Sequence, residues 1–269
     1  MTARVLAEGL AFPECPRVVD GEVWFVDTPH VKVLGRDGKV REHATLPARL
    51  VLGLAVLPDG AVLANDVLGR RVFRVDAAGR EECRIDLSGH FDHPINEVVA
   101  AEDGSLYVGS MGFDMLAHAA PRPSRLARIA PDGTVTATGP DVSFPNGMLV
   151  EADTLYVAES TAHRITALQL GPDGVIGSRI AVDLNGRADD HPDGIARDAD
   201  GTFWYADPLH GHVAGVTGGG EQVAVLEVGL PHPTACAAAG DRLYVTATAA
   251  LANAELVFSG AGVLVELTR

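Results

Sequence analysis

Six times along the chain an acidic or glycine turn is followed by a short strand of alternating apolar residues, and this recurrence limits the architecture more than any other feature. The copies run from Asp20-Gly21-Glu22-Val23-Trp24-Phe25 to Gly240-Asp241-Arg242-Leu243-Tyr244-Val245. Between them lie Asp59-Gly60-Ala61-Val62-Leu63, Asp103-Gly104-Ser105-Leu106-Tyr107, Ala152-Asp153-Thr154-Leu155-Tyr156 and Asp200-Gly201-Thr202-Phe203-Trp204. With Trp24, Leu63, Tyr107, Tyr156, Trp204 and Tyr244 as equivalent positions, the gaps are 39, 44, 49, 48 and 40 residues. Further alternating pieces, such as Arg71–Asp76 and Arg125–Ala130, end in Asp/Gly turns suited to hairpins. Helical periodicity is almost absent. Short strands at even spacing in units of this length predict an all-β, six-bladed β-propeller. Residues 1–269 read as a single such domain, and the C-terminal Gly262–Leu267 is expected to share a blade with Arg4–Leu10.

A second element recurs just upstream of each turn, where the innermost strand of a blade should begin. Its six versions place Glu14, Leu52, Asn96, Asn146, Asp193 and Thr234 in one slot, with gaps of 38, 44, 50, 47 and 41 residues. Equivalent positions on innermost strands converge on the central channel of a propeller, so these side chains should face one another. Four of the six carry carboxylate or amide oxygens. Such an oxygen cage suits Ca²⁺ foremost and also admits Mg²⁺, Mn²⁺ or Zn²⁺. With no cation between them, Glu14 and Asp193 would repel one another, and one would be expected to take up a proton.

The segments Gly9-Leu10-Ala11-Phe12-Pro13-Glu14-Cys15-Pro16, Ile95-Asn96-Glu97-Val98, Phe144-Pro145-Asn146-Gly147-Met148, His191-Pro192-Asp193-Gly194-Ile195-Ala196 and Pro233-Thr234 occur in order at propeller spacing. Through them essentially the whole chain resembles the SMP-30/gluconolactonase family, to which diisopropyl-fluorophosphatases and, more remotely, paraoxonases are related. The resemblance implies a six-bladed propeller with one divalent cation in its channel, held by Glu14, Asn96, Asn146 and Asp193. It implies hydrolysis of a lactone or related ester, with Asp193 as ligand and as base or nucleophile, and Asn96 touching both cation and substrate. His191 and His232, each preceding a proline beside a slot residue, are further acid/base candidates. The competing reading of these two, and of His93, is that proline extends the strand start while the imidazole bonds to a neighbouring loop.

The chain also departs from the sugar-lactone pattern. Pro94 stands where those members carry a substrate-binding Arg, and Glu97 where they carry an Asp. Gly109-Ser110-Met111-Gly112-Phe113-Asp114-Met115-Leu116, expected on the ligand-binding face, is rich in Met and Phe and suggests a more apolar substrate, or else core packing. The pairs Asn65-Asp66 and Asp189-Asp190 are read as solvated turns, and Cys15, Cys83 and Cys236 as small buried thiols.

Charge excludes several partners. With 36 Asp+Glu against 21 Lys+Arg the net charge is −15, unfavourable for nucleic acid or an anionic membrane surface. A small-molecule substrate and a cytoplasmic location are expected, since no export signal or apolar run of spanning length is evident. No nucleophile elbow, P-loop, dinucleotide fingerprint or HExxH motif occurs. Two rivals to hydrolysis use the same site: isomerase or lyase chemistry on a carbonyl compound, and a cation-stabilised binding propeller without turnover.

Overall fold

The computed structural model describes every residue except Met1, Met115, Leu116, His118, residues 186–189 and 252–255, Val257 and Arg269. Among the described residues, strands assemble into six antiparallel sheets of four. Blade one comprises Pro13–Val19, Glu22–Asp27, His30–Leu34 and Val40–Thr45. Leu54–Val56, Val62–Asp66, Arg71–Val75 and Glu81–Asp86 form blade two. In blade three are Ile95–Ala100, Leu106–Ser110, Ser124–Ile129 and Val135–Val142. Pro145–Glu151, Thr154–Glu159, Arg164–Gly171 and Gly174–Asp183 make blade four. Blade five holds Ile195–Arg197, Phe203–Asp207, His212–Val216 and Gln222–Leu226. Blade six joins both ends of the chain: His232–Ala239, Arg242–Thr248 and Gly262–Thr268 pair in turn, and Thr2–Leu10 adds the outermost strand. Val5 lies opposite Val265, the closure expected from the sequence.

Burial follows position in the blade. Second strands such as Val62–Asp66, Leu106–Ser110 and Phe203–Asp207 are buried throughout, because neighbouring blades cover both their faces. Outer strands such as Glu81–Asp86 are mostly exposed and correspondingly polar. One apolar cluster lies between each pair of adjacent blades. Val26, Val51 and Phe73 pack between blades one and two, for example, and Tyr156, Phe203 and Tyr205 between four and five. Leu10, Phe25 and Leu264 fill the junction between blades six and one.

Strand register shows that the two sets of repeat positions are equivalent. Trp24, Leu63, Tyr107, Tyr156, Trp204 and Tyr244 pair with Arg17, Ala55, Val99, Leu149, Ala196 and Ala237 on the innermost strands. Glu14, Leu52, Asn96, Asn146, Asp193 and Thr234 each precede that partner by three residues. In four blades the ladder shifts register at or just after the slot, between Glu14 and Arg17, Ile95 and Val98, Pro145 and Met148, and Pro233 and Ala235. A bulge re-aims side chains locally, and here it coincides with the channel mouth.

Adjacent innermost strands are tied together around that mouth. Leu54 donates its N–H to the Cys15 sulfur at 3.1 Å, linking blades one and two. The Asn65 side chain donates to the Asn96 carbonyl, and Asn96 donates to the Pro145 carbonyl at 3.3 Å. Gly147 and Gly194 donate their N–H groups to the carbonyls of Asp193 and Thr234 at 3.1 and 3.0 Å. Thr234 Oγ1 then donates to the Pro13 carbonyl at 2.8 Å and completes the circuit. Gly147 is required by this closeness, since a Cβ there would lie 2.5 Å from the Asp193 carbonyl oxygen.

Two expectations need correction. Asn65 and Asp66 are not a solvated turn but are 0% and 3% exposed. Asn65 Oδ1 accepts the N–H groups of Leu52 and Gly53 and so fixes the blade-two slot, while Asp66 caps Gly69 and pairs with Arg71. Asp190 is likewise buried, beneath the Tyr205 hydroxyl that donates to it; Asp189 lies outside the described residues. Cys15 and Cys236 are buried as expected, but Cys83 is exposed on an outer strand. No helix among the described residues is long and apolar enough to cross a membrane.

Ring closure through blade six makes its junction with blade one a sensitive place. Leu264→Ala, which empties a fully buried site between Leu10 and Phe25, is expected to cost about 2–5 kcal/mol. Exposed Val5→Ala in the same blade should stay within about 0.5 kcal/mol, and urea unfolding of the two variants checks the contrast.

Candidate active site in the central channel

The slot residues are brought to one end of the channel by the register just described, and their polar members are connected. Asn96 donates its amide N–H to Asn146 Oδ1 at 2.7 Å, and Asn146 donates to Ser160 Oγ at 3.2 Å. Ser160 in turn donates to the carbonyl of Pro192, the residue before Asp193, at 2.7 Å. With both amide nitrogens committed to protein acceptors, the oxygen is the atom each amide can offer a cation. Leu52 and Thr234 complete the ring, Thr234 with its hydroxyl engaged by the Pro13 and Thr246 carbonyls and the Thr246 hydroxyl.

Glu14 and Asp193 are electrostatically strained. Burial pushes the Glu14 carboxyl well above the usual carboxylate range, and the negative charges of Asp193 and Glu97 push it further. Asp193 is raised by burial, then by Glu97 and Asp207. The Cys15 N–H, donating to Glu14 Oε2 at 3.1 Å, and the Arg17 charge oppose the rise at Glu14.

A second tier follows the slot. Glu97 is 7% exposed and accepts the Val98 N–H at 3.0 Å, with the Cys15 thiol donating to it at 3.3 Å. Arg17 Nη2 stands 3.5 Å from Glu97 Oε2. The positions that follow the other slot residues hold Cys15, Gly53, Gly147, Gly194 and Ala235, all small. Glu97 is the exception, and Gly53 accommodates it: a Cβ there would come within 2.9 Å of Glu97 Oε1. Burial raises the Glu97 carboxyl while Arg17 opposes the rise. Burial also holds the Cys15 thiol well above its ordinary value and pushes Cys236 up to about 12, so neither is a thiolate nucleophile near neutrality. Beyond Arg17 the channel widens into a cavity of about 420 Å³ at the opposite face, bordered by Ala55, Ala100, Glu151, Arg197 and Ala238.

The donor chemistry fits a divalent cation. Glu14, Asp193 and Glu97 bring three carboxyl groups into the channel against the one guanidinium of Arg17, and with all three ionised 3 − 1 leaves two negative charges for a cation to neutralise. The slot oxygens are hard donors of the kind that favour Ca²⁺ or Mg²⁺.

The walls of the mouth differ in polarity. On the side of blades two and three, Leu50, Val67, Met111 and Phe113 form a buried cluster against which Leu52 and Phe144 pack. Met111 and Phe113 are thus core residues beneath the mouth; Met115 and Leu116 fall outside the described residues. Blade five presents imidazoles instead: the His191 ring lies 4.7 Å from that of His163 and 6.0 Å from that of His210. His232 Nδ1 is 2.6 Å from the Pro208 carbonyl oxygen, a bond to the neighbouring blade.

These features define a six-bladed propeller with carboxyl and amide oxygens at one end of its channel. The chain belongs to the SMP-30/Gluconolactonase/LRE-like family, whose pattern matches residues 12–249. It is 28% identical over 247 residues to the pentonolactonase XacC of Haloferax volcanii, covering 86% of this chain and 81% of that one. A luciferin-regenerating enzyme superposes with a TM-score of 0.80 at 18% identity, over 100% of this chain and 95% of its own. Regucalcin from Agrobacterium tumefaciens, described as a calcium-binding protein, gives 0.78 at 24% identity, over 99% and 93%. At these identities the two solved structures show the fold alone.

Sequence reasoning overlooked Arg17, and it noticed Glu97 only as a departure from a family pattern. The repeat itself contained a signal for Glu97, the one large residue at a position that is otherwise Gly, Ala or Cys. It also overlooked Asp207, His210 and His212: Asp207 closes the second strand as polar residues do in four other blades, but the two imidazoles follow no motif and meet it only when blade five folds.

A pH prediction follows from the raised carboxyls. In protein held in chelator, folded Glu14 and Asp193 retain protons that the unfolded chain has already released near pH 4, so the folded state binds more protons. Stability should therefore be greatest at or below the ordinary carboxylate range and fall as pH rises toward the raised folded values. Urea unfolding of wild type and Glu14→Gln from pH 5 to 8 checks this, with the variant expected to show the shallower decline.

Proposed function

We propose that this chain is a divalent-cation-dependent hydrolase that opens a lactone or related ester of a small molecule. The observation that carries the proposal is the convergence of Glu14, Asn96, Asn146 and Asp193 at one end of the channel, where three carboxyl groups face a single guanidinium. Glu14 and Asp193 would hold the cation by charge, and the amide oxygens of Asn96 and Asn146 would complete the protein's share of the shell. Bound there, the cation supplies Lewis-acid polarisation of an ester carbonyl. Ca²⁺ is the first candidate from the oxygen donor set, with Mg²⁺, Mn²⁺ and Zn²⁺ as alternatives.

The chain's own residues then have separate tasks. The Asn146–Ser160–Pro192 bonds hold the Asp193 segment in place, so its carboxylate can take a proton from water or attack the carbonyl carbon. Asn96, between the two halves of the ring, would touch both cation and substrate. His191 and His232 stand on the blade-five and blade-six side of the mouth, from which an imidazole could return a proton to the leaving alkoxide. Leu52 and Phe144 give the opposite wall apolar character, and Pro94 replaces a guanidinium, which together favour a lactone with an apolar substituent over a polyol. The proposed enzyme is a single domain over residues 1–269, acts in the cytoplasm, and takes neither nucleic acid nor membrane as partner, its charge of −15 opposing both.

The test is to strip the protein with chelator, restore single divalent cations, and follow proton release across aliphatic, aromatic and polyhydroxylated lactones. Turnover should return with one cation, be faster on the apolar lactones, and fall by at least about a hundredfold in Asp193→Ala. Tight cation binding, seen as a raised melting temperature, with no lactone opened would overturn the hydrolase reading in favour of isomerase, lyase or binding chemistry.

A further inference from the structure

The end of the second strand carries a recurring polar residue, three positions after the central repeat residue: Asp27, Asp66, Ser110, Glu159 and Asp207. In three blades the acid meets a permanent cation from the third strand. Lys32 Nζ is 2.5 Å from Asp27, Arg71 Nη2 2.5 Å from Asp66, and Arg164 Nε 2.7 Å from Glu159. Ammonium and guanidinium groups have no lone pair to give a metal. Blade five differs: the residue opposite Asp207 in the ladder is His212, as His30 is opposite Asp27, but the side chain that meets the Asp207 carboxylate is the imidazole of His210.

The geometry there is compact. Ligand atoms of His191, Asp207 and His210 all lie within 4.8 Å of one another, as do those of Asp190, Asp207 and His212. Asp207 is held still by the N–H groups of Leu209 and His210, each donating to Oδ1 at 3.0 Å, and that of His191, donating to Oδ2 at 2.9 Å. His210 Nδ1 is 2.9 Å from Asp207 Oδ2 and 3.8 Å from Asp190 Oδ1, and His212 Nε2 is 3.9 Å from Asp190 Oδ2. A surrounding layer of orienting bonds is already built. The Tyr205 hydroxyl donates to Asp190, and His163 Nδ1 lies 2.9 Å from the Asp190 carbonyl oxygen. Asp207 is fully buried, whereas His210 reaches solvent, which provides a path for an ion.

We propose that the rim of blade five is a second metal site, in which His191, Asp207 and His210 bind one Zn²⁺-class ion. Two imidazole nitrogens and one carboxylate oxygen make a borderline donor set that selects transition ions over Ca²⁺ or Mg²⁺, in contrast to the oxygen-lined channel. Tetrahedral Zn²⁺ places its ligand atoms about 3.3 Å apart, so closure from 4.8 Å asks only for a modest swing of the exposed His210 ring. The ion would tie the chain just before Asp193 to the turn that follows the Trp204 strand. The site shares His191 with the hydrolase reading but does not depend on it: with the ion bound there, His232 alone is left to return the proton.

The test uses the full chain, freed of metal and then kept in millimolar Ca²⁺ to saturate the channel, and titrated with Co²⁺ as a visible probe and with Zn²⁺ in competition. One Co²⁺ per chain is expected, with a d–d absorption band that Zn²⁺ abolishes. His210→Gln should weaken that binding by at least about tenfold, while Glu14→Gln, in blade one, leaves it unchanged. His210 is exposed, so its replacement should fold, and an unchanged melting temperature in chelator confirms it. The proposal is overturned if no band appears, if His210→Gln binds Co²⁺ as wild type does, or if Glu14→Gln removes the band and so places the ion in the channel.

Discussion

Closing six sheets into a ring is the constraint on which the rest of this molecule depends. A four-stranded sheet cannot bury both of its faces alone, and here each blade is covered by its two neighbours, with one apolar cluster at every junction. Hydrogen bonds between adjacent blades run round the mouth of the channel, through Asn65 on a second strand between blades two and three, and end where Thr234 reaches Pro13. Pairing of Thr2–Leu10 with Gly262–Thr268 joins the two ends of the chain within one blade, so the circle is held by backbone ladders as well as by side chains.

That closure concentrates charge. Innermost strands begin close together, and bulges at four of the six starts coincide with the slot side chains. Burial there disfavours the charged forms of Glu14, Glu97 and Asp193; Asp193 and Glu97 push Glu14 up further, and Glu97 and Asp207 do the same to Asp193. With all three ionised, Arg17 would answer one charge and leave two, which the proposed cation would neutralise. Such an imbalance gives no stability to the protein alone, which is why it reads as a site and not as scaffold.

The repeat made much of this legible in advance. Trp24, Leu63, Tyr107, Tyr156, Trp204 and Tyr244 are equivalent in the sheets, and the slot residues stand in a constant relation to them, because alternation and turn chemistry set both. Local pattern misjudged Asn65, Asp66 and Asp190, where polar pairs beside turns lie in the interior. Their burial is possible only because other blades and strands supply partners: Asn96 for Asn65, Arg71 for Asp66 and Tyr205 for Asp190. Polar residues carry no mark in the sequence that separates a solvated turn from a satisfied interior bond.

The sequence by itself determined the number of blades, the order of their strands, the joining of the two termini and the residues that begin each innermost strand. These follow from periodicity and turn residues, which act over a few positions along the chain. Tertiary structure alone decided which side chains meet across blades. Glu97 faces Arg17 and Cys15 over separations of 80 and 82 residues, and His191, Asp207 and His210 gather because two strand ends of one blade share a rim. Side-chain charge and burial depend on that distant company, and no short stretch of sequence contains it.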